Sequence, residues 1–185
     1  MPRHVAVLVG SLRREAFSRK LAKALIAVAP DALTANIVEI GALALYNEDV
    51  DADPPATWRA FRAEVKAAQA VLFVTPEYNR SVPGALKNAL DVGSRPYGQS
   101  AWSRKPGAVV SVSPGVIGGF GANHHLRQSM VFLDVPMMPQ PEAYVGGAAG
   151  LFDKAGELIK DDTRDFLAKF MASFAQWIEL NLPRT

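Results

Sequence analysis

The chain contains no cysteine. Disulfides, thiolate-bound zinc, iron–sulfur clusters and a cysteine nucleophile are therefore excluded. A redox role would need an organic cofactor to carry the electrons. Long hydrophobic runs are missing too, and nothing approaches the roughly 20 apolar residues needed to cross a bilayer. Met1-Pro2-Arg3-His4 leads into an apolar run too short for a signal peptide, and that run turns into a glycine loop rather than a cleavage site. Lys and Arg are nowhere gathered into a long run, and the formal net charge is only +2, although the pI is about 9.0. A nucleic-acid or polybasic membrane surface is not indicated. Repeats, linkers and low-complexity tracts are absent. The expectation is a soluble, cytoplasmic protein with no nucleic-acid and no membrane partner.

What is present is an ordinary globular composition. With 185 residues, 49% apolar and 21% charged, the chain suits one domain spanning residues 1–185 with a sizeable core. The mild basicity either helps attract an anionic nucleotide or reflects ordinary surface cations.

Strands and helices alternate along the sequence. Residues 5–9 form a continuous β-rich apolar run, as expected of a strand covered on both faces. Leu21, Ala24, Leu25 and Val28 then recur at helical spacing. Residues 35–40 alternate as a second strand, and an acidic, proline-bearing loop follows from Tyr46 to Pro55. Pro54 and Pro55 open a helix with Trp58, Phe61 and Val65 on one face. Residues 70–75 read as a third strand. Pro83 starts a helix with Leu86, Ala89 and Leu90, and Gly93-Ser94-Arg95-Pro96 ends it. A fourth strand spans 107–112, a helix about 122–134, and a short fifth strand 142–146. The last helix starts at the N-cap cluster Asp161-Asp162-Thr163 and carries Phe166, Phe170, Phe174 and Trp177 as a core stripe. This alternation predicts an α/β three-layer sandwich around a doubly wound parallel sheet. Five strands at this length favour the flavodoxin-like order 2-1-3-4-5 over a six-stranded dinucleotide fold.

Three loops could carry chemistry. Gly10-Ser11-Leu12-Arg13, with Ser18 beyond, combines a helix start, hydroxyls and a guanidinium, which is a donor set suited to phosphate. It also reads as a plain turn with a surface arginine. It lacks the Gly-Lys-Ser/Thr ending of a P-loop and the later glycines of the dinucleotide fingerprint. Pro76-Glu77-Tyr78-Asn79 follows strand three and neighbours the first loop by topology. Its amides could meet the edge of a flat ring and Tyr78 could supply a planar surface, or it is a simple strand-to-helix loop. Glu77 reads as a general acid or as an exposed carboxylate that orients the loop, with the second favoured. Ser113-Pro114-Gly115-Val116-Ile117-Gly118-Gly119-Phe120-Gly121 permits close backbone approach to a ligand, and Ser113 could donate to a ring carbonyl. Together the loops suggest a flat, phosphate-bearing ligand across the carboxyl edge of the sheet. His124 and His125 are neighbours on a helix and point apart, so no metal site is expected. The runs Met130–Leu133 and Met137-Met138 read as core or as a subunit interface, with the interface favoured.

These segments resemble the NADPH-dependent FMN reductase family. The likeness is carried by Gly-Ser-Leu-Arg, Pro-Glu-Tyr-Asn and Ser-Pro-Gly-Val-Ile-Gly-Gly, supported by Tyr46-Asn47-Glu48-Asp49 and His125-Leu126-Arg127-Gln128. Within that family the chain looks most like bacterial NAD(P)H:quinone reductases also described as chromate reductases. The resemblance implies non-covalent FMN, NAD(P)H as co-substrate, and homodimers or homotetramers, with Arg127 serving subunit contacts. It maps the FMN phosphate to Ser11, Leu12, Arg13 and Ser18, and the flavin ring to Pro76, Glu77, Tyr78, Asn79, Ser113 and Gly115. It further implies two-electron reduction of quinones in a ping-pong cycle, with no protein side chain as nucleophile or obligatory acid. Chromate, ferric chelates and azo or nitro compounds would be opportunistic acceptors. Ala16 and Ser18 stand where the family usually has serine and asparagine, which implies somewhat weaker FMN retention. A flavodoxin-type electron carrier, a flavin reductase supplying reduced FMN and a non-redox nucleotide-binding domain are the competing readings.

Overall fold

The computed structural model describes residues 1–182, so residues 183–185 of the expected 1–185 domain lie outside the described residues. Five parallel strands, β1 (Arg3–Val9), β2 (Leu33–Val38), β3 (Ala70–Thr75), β4 (Gly107–Val112) and β5 (Ala143–Val145), are ordered β2-β1-β3-β4-β5. The expected flavodoxin-like order is the observed one. The helices are α1 (Phe17–Ala27), α2 (Ala56–Ala67), α3 (Gly84–Gly93), α4 (Phe120–Phe132) and α5 (Asp161–Asn181).

Successive strand residues point to opposite faces of a sheet, and here both faces are covered. Val5, Val7, Val9, Leu72, Val74 and Val110 pack under α1 and α5 with Leu21, Leu25, Phe170 and Phe174. Ala6, Leu8, Val71, Phe73 and Val109 pack under α2, α3 and α4 with Trp58, Phe61, Leu86 and Leu126. That double coverage is why β3 and β4 are apolar throughout or nearly so, rather than alternating.

The register positions the loops. Val9 of β1 pairs with Val74 of β3, and Thr75 pairs with Ser111 of β4. All three chains therefore leave the sheet at one level. The Gly10 amide continues the ladder to the Val74 carbonyl at 2.9 Å. A Cβ at Gly10 would lie 2.7 Å from Thr75 Oγ1, so this contact between neighbouring strand ends requires glycine.

Several boundaries and assignments differ from expectation. β2 occupies Leu33–Val38 rather than 35–40, because its ladder with β1 ends at Val38. Helix α4 begins at Phe120, after Gly119 at φ 76°, and not at 122. Lys160 is the N-cap of α5 and makes no side-chain cap; Asp161 and Asp162 lie in the first turn, where they interact with the helix dipole. Met130 and Met138 are buried in the core, whereas Val131 and Phe132 are 82% and 83% exposed. The methionine-rich run is thus divided, Met130 and Met138 belonging to the core and Val131 and Phe132 to the surface.

Candidate functional site

The three strand-end loops converge on one open crevice. Ser11, Arg13 and Ser18 line it from the first loop, Pro76, Glu77 and Tyr78 from the second, and Ser113 from the third. Leu12, Asn79 and Gly115 stand outside this lining, while Ala16, Phe17, Val112 and Pro114 join it. The added residues had no polar signature in the sequence. They became visible only once the register fixed which apolar positions face the opening.

The first loop leaves polar groups without internal partners. Helix α1 has Ala16 as its N-cap, with no side-chain cap and no acidic residue in its first turn. Ser18 is 1% exposed, and its Oγ has no hydrogen-bond partner. A buried hydroxyl without a partner costs free energy, and an uncapped helix start presents free amides and positive potential. Ser11 Oγ accepts from the Arg13 amide at 3.3 Å. The Arg13 side chain makes no ion pair among the described residues. Hydroxyl, amides and guanidinium together form a donor set that fits a phosphate group.

The second loop is a tight hairpin. Tyr78 and Ser81 exchange both backbone hydrogen bonds at 3.0 Å, and the two residues between them, Asn79 and Arg80, have φ of 50° and 64°. Two positive φ values at the centre are the signature of a type I′ turn. Glu77 is not the exposed carboxylate expected from sequence. Its side chain is 13% exposed. One oxygen accepts from the Ala122 amide of α4 at 3.0 Å and the other from Arg80 at 3.2 Å. Helix α4 has no side-chain cap at its own N-cap, Gly119, so the carboxylate is recruited from β3's loop to serve there. Tyr78 stands half-exposed at the crevice wall.

In the third loop Ser113 Oγ accepts from the Gly115 amide at 3.0 Å, which leaves its proton free to donate. Its glycines serve packing within the chain. A Cβ on Gly118 (φ 64°) would lie 2.5 Å from the Tyr144 carbonyl carbon of β5, and one on Gly119 would lie 3.1 Å from Ser111 Cβ. At Gly118 and Gly119 the close approach is to β5 and β4.

The two histidines diverge. His124 Nε2 lies 2.8 Å from the Tyr144 hydroxyl, and His125 Nδ1 lies 2.7 Å from Ser81 Oγ. Burial, followed by the Glu142 carboxylate, pushes the Tyr144 hydroxyl up to about 12. Arg127 donates to Asn123 Oδ1 at 3.1 Å and to the Met138 carbonyl at 2.9 Å. Arg127 is thus engaged within the chain, bridging α4 to the segment before β5. No group of three or more metal-ligating side chains occurs among the described residues, nor is any helix there long and apolar enough to cross a membrane.

Comparison with known proteins agrees with this arrangement. The chain is 66% identical over 178 residues to a quinone reductase of Pseudomonas putida, covering 96% of this chain and 95% of that protein. It is 47% identical over 174 residues to a 2-hydroxy-1,4-benzoquinone reductase of a Burkholderia species, covering 94% and 95%. Among solved structures it superposes with a TM-score of 0.91 on FerB, a flavoenzyme NAD(P)H:(acceptor) oxidoreductase from Paracoccus denitrificans, at 41% identity over 97% of this chain and 98% of that one. The family model for NADPH-dependent FMN reductases matches residues 3–150. That span contains all five strands and all three loops of the crevice, and the chain belongs to the NADPH-dependent FMN reductase family.

Proposed function

We propose that this protein is a quinone reductase that holds FMN non-covalently in the crevice and draws its electrons from NAD(P)H. The observation that carries the reading is the buried, unpartnered Ser18 hydroxyl beside an uncapped helix start, at the point where three strand ends converge. The names of the P. putida and Burkholderia relatives support quinones as the acceptor class. FMN, when bound, supplies the two-electron chemistry between NAD(P)H and the acceptor.

Each loop has a distinct task. Ser11, Ser18, the Arg13 guanidinium and the amides of α1's first turn would hold the phosphate, with Leu12 contributing backbone only. Pro76 and Tyr78 would form the wall beside the ring and Ser113 would border its carbonyl edge, with Asn79 and Gly115 supporting these loops from outside the lining. Tyr78 offers a planar surface to the incoming acceptor. Glu77 is committed to α4 and Arg80, so it supports the wall and does not transfer protons. NAD(P)H and the quinone use the same opening in turn, a ping-pong cycle. The openness of the crevice admits chromate, ferric chelates and azo or nitro compounds as occasional acceptors. The working protein is a cytoplasmic homodimer or homotetramer.

The test is the visible spectrum of protein purified with added FMN, before and after anaerobic NADPH and then quinone. The expected result is two flavin bands, bleached by NADPH and restored by the quinone. Bands that neither NADPH nor NADH bleaches would favour an electron carrier served by a partner reductase. No bands would overturn the assignment.

A further inference from the structure

We propose that His125 is a positioning residue that acts through Ser81 to fix Tyr78 at the crevice wall. Asn79 and Arg80 both adopt left-handed backbone conformations, which asparagine tolerates but which are unfavourable for the side chain of Arg80. Such conformations persist where surrounding contacts over-determine them. Here the contacts come from one helix. On one side of the turn Glu77 accepts from the Ala122 amide at 3.0 Å, and on the other Ser81 Oγ meets His125 Nδ1 at 2.7 Å. Between them, Gly121 lies so close that a Cβ there would be 3.0 Å from the Arg80 carbonyl oxygen. Residues 122 and 125 are three apart and share a helix face, so α4 grips the hairpin on both sides of its left-handed pair.

The bond between Ser81 and His125 is not demanded by burial, because the imidazole is exposed and Ser81 only half-buried. Water would satisfy either group. Its effect is geometric. Tyr78 is tied to Ser81 by both backbone hydrogen bonds, so a displacement of Ser81 is passed directly to Tyr78. Either tautomer of His125 maintains the contact, as donor or as acceptor, because the serine hydroxyl can rotate to suit.

The claim about the hairpin stands on geometry alone. Its consequence for turnover rests on the quinone reductase reading. The test therefore has two readouts on His125→Leu, Ser81→Ala, the double variant and the conservative His125→Asn, whose Oδ1 replaces Nδ1. The first is trypsin cleavage of the Arg80–Ser81 bond in the folded full-length chain, with and without FMN, followed by mass spectrometry. Arg80 sits at the turn with its side chain 76% exposed. We expect cleavage about fivefold faster in His125→Leu and in Ser81→Ala, the yield of one hydrogen bond, with no further gain in the double variant and a near wild-type rate for His125→Asn. Unchanged cleavage in both single variants would overturn the clip. The second readout is quinone KM against FMN affinity. We expect KM to rise several-fold in both single variants while the FMN dissociation constant stays within about twofold, and His125→Asn to restore KM. Faster cleavage with an unaltered KM would overturn the positioning of Tyr78. A wild-type protein that binds no FMN would defeat the functional reading and leave the cleavage result standing.

Discussion

A Glu77 carboxylate oxygen lies 3.0 Å from the backbone nitrogen of Ala122, capping α4 from a different element of the fold. Anionic oxygens at helix starts accept orphan amides and complement the dipole. Glu77→Ala should lower unfolding free energy by about 1–2 kcal/mol, the usual range for losing a cap. Glu77→Gln keeps an acceptor but not the charge, and should lose less. Urea unfolding of the three proteins checks the order. Equal losses for Ala and Gln would show that the charge, not the hydrogen bond, matters.

Gly118 combines positive φ with a Cβ site 2.5 Å from the backbone of Tyr144. Both the conformation and the space exclude alanine, and backbone on β5 has little room to retreat. Gly118→Ala should destabilise by about 3 kcal/mol or more, in the range of severe core and backbone lesions. Gly147→Ala, where φ is also positive but nothing lies within 4 Å, should cost only about 1 kcal/mol. Comparing the two melting curves separates crowding from backbone strain.

The sheet order and all three loops of the crevice were legible in the sequence, because continuous apolar strands and punctuating glycines and prolines are local signals. Ser18 and Tyr78 could be named from their types and loop positions. The destination of Glu77 could not. Its partner is a backbone amide 45 residues away, and backbone amides carry no sequence signature. That Gly118 and Gly119 pack against β5 and β4 was not legible, because a sequence does not say which neighbour comes close. Val112 and Pro114 were missed for the complementary reason, that apolar side chains at a strand end look alike whether they face core or crevice. Phe132 departs from its neighbour Met130 only through the way α4 sits on the sheet.

The hydroxyl of Tyr144 is held up at about 12, against an ordinary value near 10, first by burial and then by the Glu142 carboxylate. The folded state therefore keeps its proton where the unfolded chain loses it. The resulting stability is fully present below about pH 10 and disappears as pH rises through 12. Tyrosinate absorbance at 295 nm should rise in the wild type above pH 11, and Tyr144→Phe should remove that last step. In unfolding experiments the wild type should lose its advantage over Tyr144→Phe between pH 10 and 12.

Tyr78 is 47% exposed, so its ring adds little to the core. Tyr78→Ala should change stability by less than about 1 kcal/mol, as surface substitutions do, while altering acceptor KM or kcat more than the rate of reduction by NADPH. A large fall in melting temperature with normal turnover would make Tyr78 a structural residue.

If Ser18 and Arg13 hold a phosphate, replacing either should weaken FMN binding without destabilising the FMN-free fold. Removing a buried hydroxyl that has no partner relieves a desolvation penalty, so Ser18→Ala in FMN-free protein should leave stability unchanged or raise it by up to about 1 kcal/mol. The same substitution should weaken FMN binding by about 1 kcal/mol, one lost hydrogen bond. Arg13 is exposed and makes no ion pair among the described residues, so Arg13→Ala should be neutral for the FMN-free fold. It should weaken FMN binding by about 1.5–3 kcal/mol, the worth of a charge-assisted hydrogen bond. Riboflavin, which lacks the phosphate, should bind both variants as it binds the wild type. Fluorescence titration with FMN and riboflavin, paired with thermal melts of the FMN-free proteins, measures all of these quantities. If Ser18→Ala lowers stability while FMN affinity holds, the hydroxyl serves the fold and the phosphate lies elsewhere in the crevice.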